Sequence, residues 1–281
     1  MIIHTSPALH RGLTESPDQI AQGNAVLLTL RRPQWETLAK VFRAEHEFFK
    51  ESLKNKCGCA LPGECGYRSL GIEYSETPER PDQVESFTVA ARLAEHGTTL
   101  PLESGRQLHV TMLSAVNVLE PLAEILIRRL AKHLGTVRPP QKGLHYWSRL
   151  QLNYSTPATA LGNIHDAHED GDLITLARAT APGLEIRGPD GSFVAAETEL
   201  PNVLIMPGEI CYLLSGGTFS PLWHRVRAVP QHPERLVLVF FADLDPGACR
   251  PWLANHINDG IDIGERVRVS VKRFGLHGFG S

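Results

Sequence analysis

Between Arg149 and Ala242 the chain reads RLQLNY (149–154), LITLA (173–177), LEIR (184–187), VLIM (203–206), ICYLLS (210–215), HRVRAV (224–229) and RLVLVFFA (235–242). These seven short runs are rich in aliphatic and aromatic residues. Turn formers such as Pro189-Asp190-Gly191 and Pro207-Gly208 separate them. Many short strands at such spacing predict an all-β sandwich or barrel. Upstream the texture differs. Ala25–Leu30 is one more buried strand. Pro33 is placed to start a helix, and Leu38, Phe42, Phe49 and Leu53 recur at helical spacing, so a helix is expected over Pro33–Lys54. The stretch from Cys57 to Pro81, rich in Gly, Pro and Cys, reads as loop. Leu108, Met112, Leu119, Leu122, Leu126 and Leu130 give a second helix over Glu103–Leu134. Gly135 is placed to stop it, and Pro121 should kink it or divide it into two abutting helices.

The fold class expected is therefore mainly β with flanking α-helices. The change of texture falls at Arg138-Pro139-Pro140. A single domain over 1–281 is expected, with a mostly helical part (1–140), a β core (141–245) and a C-terminal segment (246–281). In that segment Val267, Val269 and Val271 alternate like a strand, yet Val267, Val271 and Phe274 also fit a helix.

A chain of 281 residues can bury a sizeable core without disulfides or a structural metal. Its 24 glycines and 20 prolines favour many turns over a long helical bundle. The 28 basic and 31 acidic residues leave a net charge of −3, so no broad nucleic-acid surface is expected. Leu236–Ala242 is the longest obvious apolar run, far short of the roughly 18 residues that suggest a membrane span. The first eleven residues lack the basic-then-apolar pattern of a secretory leader. Five cysteines, an odd number, suit a reducing compartment, and a cytoplasmic location is expected. Cys57-x-Cys59-x5-Cys65 falls short of the four ligands of a closed zinc site, so free thiols in a loop are the reading preferred. Nothing in the pattern fixes an oligomeric state.

The densest polar cluster is Asn163-Ile164-His165-Asp166-Ala167-His168-Glu169-Asp170-Gly171-Asp172. Within it lies His168-x-Asp170. On a strand, residues i and i+2 share a face with Cα atoms roughly 6–7 Å apart, so an imidazole and a carboxylate can converge on one ion. His224 lies 54 residues beyond Asp170, a gap of about four strands with their turns. Two histidines and one carboxylate with open positions are the ligand set of non-haem Fe(II) oxygenases. His165 is a rival ligand, but its i+2 neighbour is Ala167, so it is assigned to the loop or to a supporting role behind the ligands. Alone, the H-x-D pattern is weak, because thirteen histidines and many acids make chance matches common.

The surroundings strengthen it. Ala167-His168-Glu169-Asp170 with Ile174-Thr175-Leu176, Gly183-Leu184-Glu185-Ile186, Asp190-Gly191-Ser192-Phe193-Val194, and Ser215 through Val226 follow one another in an order that resembles the isopenicillin N synthase-like family of Fe(II)/2-oxoglutarate-dependent dioxygenases. Pro207-Gly208-Glu209 and Arg235-Leu236-Val237 fit the same order, as do Gly66-Tyr67 and Glu85-Ser86-Phe87 upstream. The likeness spans about 25–245. It implies a double-stranded β-helix (jelly-roll) core with helices outside and a helical C-terminal segment. It further implies Fe(II) held by His168, Asp170 and His224, with O2 and 2-oxoglutarate as co-substrates. Arg235 would pair with the distal carboxylate of 2-oxoglutarate, whose geometry a guanidinium matches. Asn153 and Ser155 occupy the family's N-x-Y positions beside the co-substrate. Oxidative decarboxylation of the keto acid to succinate and CO2 would drive attack on an unactivated C–H bond, most simply hydroxylation. The substrate would be a small metabolite such as an amino acid or a secondary-metabolite intermediate. Tyr67, Arg68, Glu185 and Phe241 are candidates to line its pocket.

Two departures stand out. Val237 replaces the R-x-S serine, and Ser155 replaces the N-x-Y tyrosine. Loss of the R-x-S serine removes a hydroxyl that would hydrogen-bond the co-substrate carboxylate. Two further readings follow: an iron oxidase of the isopenicillin N synthase type whose substrate supplies all the electrons, and a non-catalytic metal- or ligand-binding β module.

Overall fold

The computed structural model describes residues 2–4, 8–136, 147–156, 162–196, 198, 201–232, 234–247, 249–253 and 261–269. Arg138-Pro139-Pro140, Tyr146, Val271 and Phe274 lie outside them. In chain order the elements are β1 (Ile2–His4), α1 (Leu9–Ala21), β2 (Ala25–Thr29), α2 (Arg32–Phe49), α3 (Leu53–Cys57), β3 (Ala60–Leu61), β4 (Cys65–Arg68), β5 (Glu85–Val89), a 3-10 segment (Ala91–Thr99) and α4 (Glu103–His133). Then come β6 (Arg149–Ser155), β7 (Asn163–His168), β8 (Ile174–Ala179), β9 (Leu184–Arg187), β10 (Phe193–Ala195), β11 (Asn202–Pro207), α5 (Glu209–Leu214), β12 (His224–Arg227), β13 (Arg235–Ala242) and α6 (Ile263–Val269).

The strands form two sheets. The major sheet has the order β1-β2-β11-β8-β13-β6-β5-β4-β3, and the minor sheet β10-β9-β12-β7. Every pair is antiparallel except β1–β2. Sheet on sheet with helices outside is the jelly-roll arrangement expected.

Strand β6 shows how the sequence builds the layers. Leu150 and Leu152 point to the helices and join the main core with Leu238 and Phe240 of β13 and Leu108, Met112 and Leu126 of α4. Arg149, Gln151, Asn153 and Ser155 point the other way, towards the minor sheet, and are buried too. Their polar face is the wall of an internal site. A smaller apolar cluster between the sheets contains Leu27, Ala177, Leu184, Leu204, Met206 and Val226.

Several elements differ from expectation. Ile210–Ser215, expected as a strand, is the helix α5. Its buried Ile210, Cys211, Leu213 and Leu214 follow helical spacing after the Pro207-Gly208 turn. The helix expected over Pro33–Lys54 stops at Phe49, and Ser52 restarts the chain as α3 by accepting a bond from the Asn55 N–H at 3.3 Å. The stretch expected as loop from Cys57 contains the β3–β4 hairpin. There Gly66 (φ 72°) comes so close to the Cys59 carbonyl that a Cβ would lie 2.1 Å from its oxygen. Helix α4 runs across Pro121 as one element. By length and composition it could cross a bilayer, but its apolar face is spent on the core. The C-terminal segment is helical at Ile263–Val269.

Candidate active site

A cavity of about 100 Å³ lies between the sheets. Its walls are the inner faces of β6, β8 and β13 on one side, β7 and β12 opposite, and the loop between β4 and β5. In the major sheet the register fixes the rows: Arg235 faces Ser155; Val237 faces Asn153 and Ala179; Val239 faces Gln151 and Ala177; Phe241 faces Arg149 and Thr175.

His168, Asp170 and His224 meet at one end of the cavity. His224 opens β12 and pairs with His168 at the end of β7. Asp170 Oδ1 lies 3.8 Å from Nε2 of each histidine, and one ligand atom from each of the three falls within 4.8 Å of the others. The tautomers follow from chemistry. His168 Nδ1 is 2.7 Å from the Asp166 carbonyl and His224 Nδ1 is 2.9 Å from the Leu222 carbonyl. A carbonyl only accepts, so both Nδ1 atoms carry hydrogen and both Nε2 lone pairs are free to point inward. Burial, and then the neighbouring His224, push the His168 pKa down to about 4, so the ring is neutral near neutral pH and able to ligate. Thr175 donates to Asp170 Oδ2, which orients the carboxylate and leaves Oδ1 to the centre. This donor set fits a divalent iron: two neutral imidazoles, one carboxylate and an adjoining cavity.

The backbone around Asp170 is held from both sides. The N–H groups of Glu209 and Ile210 donate to the carbonyls of Asp170 and Asp172 at 2.9 and 3.3 Å. Arg149 pairs with Asp172 at 2.9 Å and approaches Asp243 at 3.4 Å. Burial and the neighbouring Asp172 raise the Asp243 pKa above the ordinary carboxylate range. Gly208 is required here for space: its φ is ordinary, but a Cβ would sit 2.1 Å from the Asp172 carbonyl oxygen.

Arg235 begins β13 at the other end of the cavity. Its Nε donates to the Ala181 and Pro182 carbonyls at 3.2 and 3.0 Å. Among the described residues it has no carboxylate partner, and its Nη atoms are not sealed inside protein. Burial lowers its pKa to about 10. A buried, unpaired guanidinium facing a cavity is a receptor for a carboxylate. Asn153 lies on the adjacent strand; its Oδ1 accepts from Gln151, which leaves its Nδ2 to face the cavity.

Residues 146–243 match the family model described as the 2OG-Fe(II) oxygenase superfamily. That match and the triad support a dioxygenase with iron and 2-oxoglutarate as cofactors. Solved structures agree on the fold. A full-length Neurospora crassa protein in complex with alpha-KG superposes with a TM-score of 0.71 at 19% identity, over 97% of this chain and 95% of that one. The dioxygenase for auxin oxidation from rice gives 0.68 at 17% identity, over 86% and 83%. JOX2 in complex with 2OG, Fe and JA gives 0.71 at 18%, over 92% and 80%. No curated protein sequence matches the chain.

The remaining residues singled out from sequence fall in different places. Phe241 lines the cavity, with the Arg149 guanidinium 4.5 Å from its ring centroid. Ser155 is buried beside Arg235, donating to its carbonyl at 3.4 Å. Arg68 stands behind the cavity wall, bonded to Glu73 (2.8 Å) and Gln151 (2.7 Å). Tyr67 points to the helices, donating to Glu85 and packing on Phe48. Glu185 is on the far face of β9, paired with Arg225 at 2.6 Å. Cys57, Cys59 and Cys65 are free thiols. Among the described residues the one grouping of three potential metal ligands is His168, Asp170 and His224. Sequence reasoning missed Glu73, Ser75 and Asp82, which the β4–β5 loop brings to the cavity, and Thr175, Arg149 and Gln151. The last two were visible only as polar alternation along β6, a pattern that ordinarily marks a solvent face.

Proposed function

We propose that His168, Asp170 and His224 hold Fe(II), that Arg235 binds the distal carboxylate of 2-oxoglutarate with Asn153 beside it, and that the protein hydroxylates a C–H bond of a small metabolite. The observation that carries this reading is the convergence of two inward-pointing Nε2 atoms and one carboxylate on a cavity whose other end holds an unpaired buried guanidinium. When bound, iron and the keto acid supply the oxidising power. The protein supplies placement. The two backbone carbonyls lock the imidazoles, Thr175 aims Asp170, and Arg235 fixes the far end of the keto acid. Val237, Val239 and Ala177 keep the space between apolar and poor in water.

The order of matched segments supports the isopenicillin N synthase-like branch of the superfamily. It also keeps a second reading in view, because Val237 puts no hydroxyl where the R-x-S serine would stand and Ser155 takes the place of the N-x-Y tyrosine: an iron oxidase that takes all its electrons from the substrate. The substrate is read as a compact molecule, in keeping with neighbours solved with thymine and with JA. The chain is read as one catalytic domain working in a reducing compartment, which five free thiols support. The test is calorimetric titration of 2-oxoglutarate into Fe(II)-loaded protein without oxygen, then assay of succinate with a panel of small acids, amino acids and heterocycles. Keto-acid binding with substrate-coupled succinate is the expected result. Substrate oxidation that proceeds equally without the keto acid would select the oxidase.

A further inference from the structure

A buried polar ladder stands behind the cavity wall. The strand register sets Arg68 of β4 opposite Ser86 of β5, Ser86 opposite Asn153 of β6, and Thr88 opposite Gln151. The loop after β4 adds Glu73, and all six residues are buried. Arg68 Nε donates to Glu73 Oε1 at 2.8 Å, and its Nη2 donates to Gln151 Oε1 at 2.7 Å and to Thr88 Oγ1 at 3.0 Å. Ser86 donates its hydroxyl to the same Glu73 oxygen. Gln151 Nε2 donates to Glu73 Oε2 at 2.9 Å and to Asn153 Oδ1 at 2.7 Å. A buried arginine–glutamate pair is a poor source of stability, because desolvation offsets its attraction. What this pair does fix is direction.

A guanidinium only donates and a carboxylate only accepts. Burial works against the Glu73 charge, but Arg68 and the bonds from Ser86 and Gln151 outweigh it and the pKa is lowered, so Glu73 stays a carboxylate. Arg68 therefore holds the oxygen end of the Gln151 amide, and Glu73 holds the nitrogen end. Turning the amide round would set N–H against guanidinium and oxygen against carboxylate. Both hydrogens of Gln151 Nε2 are then spent, one on Glu73 and one on Asn153. Asn153 must present its oxygen to Gln151 and its Nδ2 to the other side. That nitrogen has no protein partner among the described residues and is not sealed inside the protein. It lies on the next inward-facing row from Arg235, since Asn153 stands opposite Val237 and Ser155 opposite Arg235.

We infer that Arg68 and Glu73 are positioning residues for the keto acid: acting through Gln151, they hold the Asn153 amide with its N–H groups towards the cavity, where it donates to a carboxylate oxygen of 2-oxoglutarate. The inference rests on the reading of the cavity as a keto-acid site. The test is a double-mutant cycle by calorimetry on Fe(II)-loaded protein without oxygen: wild type, Gln151→Met, Asn153→Ala and the double variant, each titrated with 2-oxoglutarate. Asn153→Ala removes one hydrogen bond to a charged group and should weaken binding about tenfold or more. Gln151→Met lets the Asn153 amide turn and should cost a large part of the same factor. Added to Asn153→Ala, it should cost nothing further, because the two act as one unit. Glu73→Gln keeps the shape, removes the obligate acceptor and carries the same cycle if the methionine variant does not fold. An equal loss from Gln151→Met in both backgrounds would mean that Gln151 only builds the wall, and would overturn the role. Wild-type affinity in Gln151→Met or in Asn153→Ala would refute the relay alone. Wild type that does not bind 2-oxoglutarate would refute the site reading with it.

Discussion

Replacing Arg235 with Met separates binding from folding. The guanidinium-bearing residue is 6% exposed, has no carboxylate partner among the described residues, and faces the cavity. On the proposed reading, bound keto acid would make it one half of a desolvated charge pair. Truncating one partner of such a pair costs about 2–5 kcal/mol, or roughly 30- to several-thousand-fold in affinity. Without keto acid the balance is different. Met loses the two bonds from Nε to the Ala181 and Pro182 carbonyls, each contributing roughly 0.5–1.5 kcal/mol. It also removes an uncompensated buried cation, a gain of opposite sign that the depressed pKa already signals. Unliganded stability should therefore stay within about 2 kcal/mol of wild type. The assay is urea unfolding with and without 2-oxoglutarate on Fe(II)-loaded protein in the absence of oxygen. At a hundredfold excess over its dissociation constant the keto acid should stabilise the wild type by about 2.7 kcal/mol, and at the same concentration it should stabilise the variant by about 0.9 kcal/mol at most. Equal stabilisation of both proteins would refute the assignment of Arg235 to the keto acid. So would a variant that unfolds in the absence of ligand, since Arg235 would then be a structural residue.

Alanine at His168, Asp170 or His224 should abolish iron-dependent turnover and lower iron affinity with little change in far-UV circular dichroism; full activity in any of the three would reject that ligand. Gly208→Ala should destabilise the protein and weaken iron binding together, because the new Cβ must displace the Asp172 carbonyl that helps to position Asp170; wild-type melting and iron affinity would show that the loop yields freely. Glu45 is buried on α2 with one carboxylate oxygen lacking a partner among the described residues, and burial followed by the nearby Glu234 raises its pKa to about 7. A raised carboxyl pKa gives stability that is complete below the unfolded value of about 4.5 and is lost as pH climbs through 7. Glu45→Gln should accordingly raise the melting temperature at pH 8 more than at pH 5; an equal effect at both would exclude that titration.

The strand-rich middle was legible because β8, β9, β11 and β13 announce themselves as apolar runs between turns. Where the rule failed, it failed for a physical reason. Ile210–Leu214 is apolar throughout, so periodicity could not tell helix from strand. The β3–β4 hairpin was hidden by Gly and Cys residues that resemble loop composition. In the site, the H-x-D spacing was weak alone, and it was readable as a set with the distant His224 because the surrounding segments resemble those of a known family in order. Tyr67 and Glu185 show the limit of the same reasoning: strand alternation says that neighbours face opposite ways, without saying which way is in.

By itself the sequence determined which segments could be strands and which residues could ligate a metal. These are properties of local composition and spacing, carried along the chain. Tertiary structure alone decided that the polar face of β6 lines a cavity instead of meeting solvent, that Ser75 and Asp82 come across from another loop to orient His165, and that Arg235 has no carboxylate partner among the described residues. Each of those depends on what lies across the cavity, and burial and pairing are set by neighbours tens of residues away.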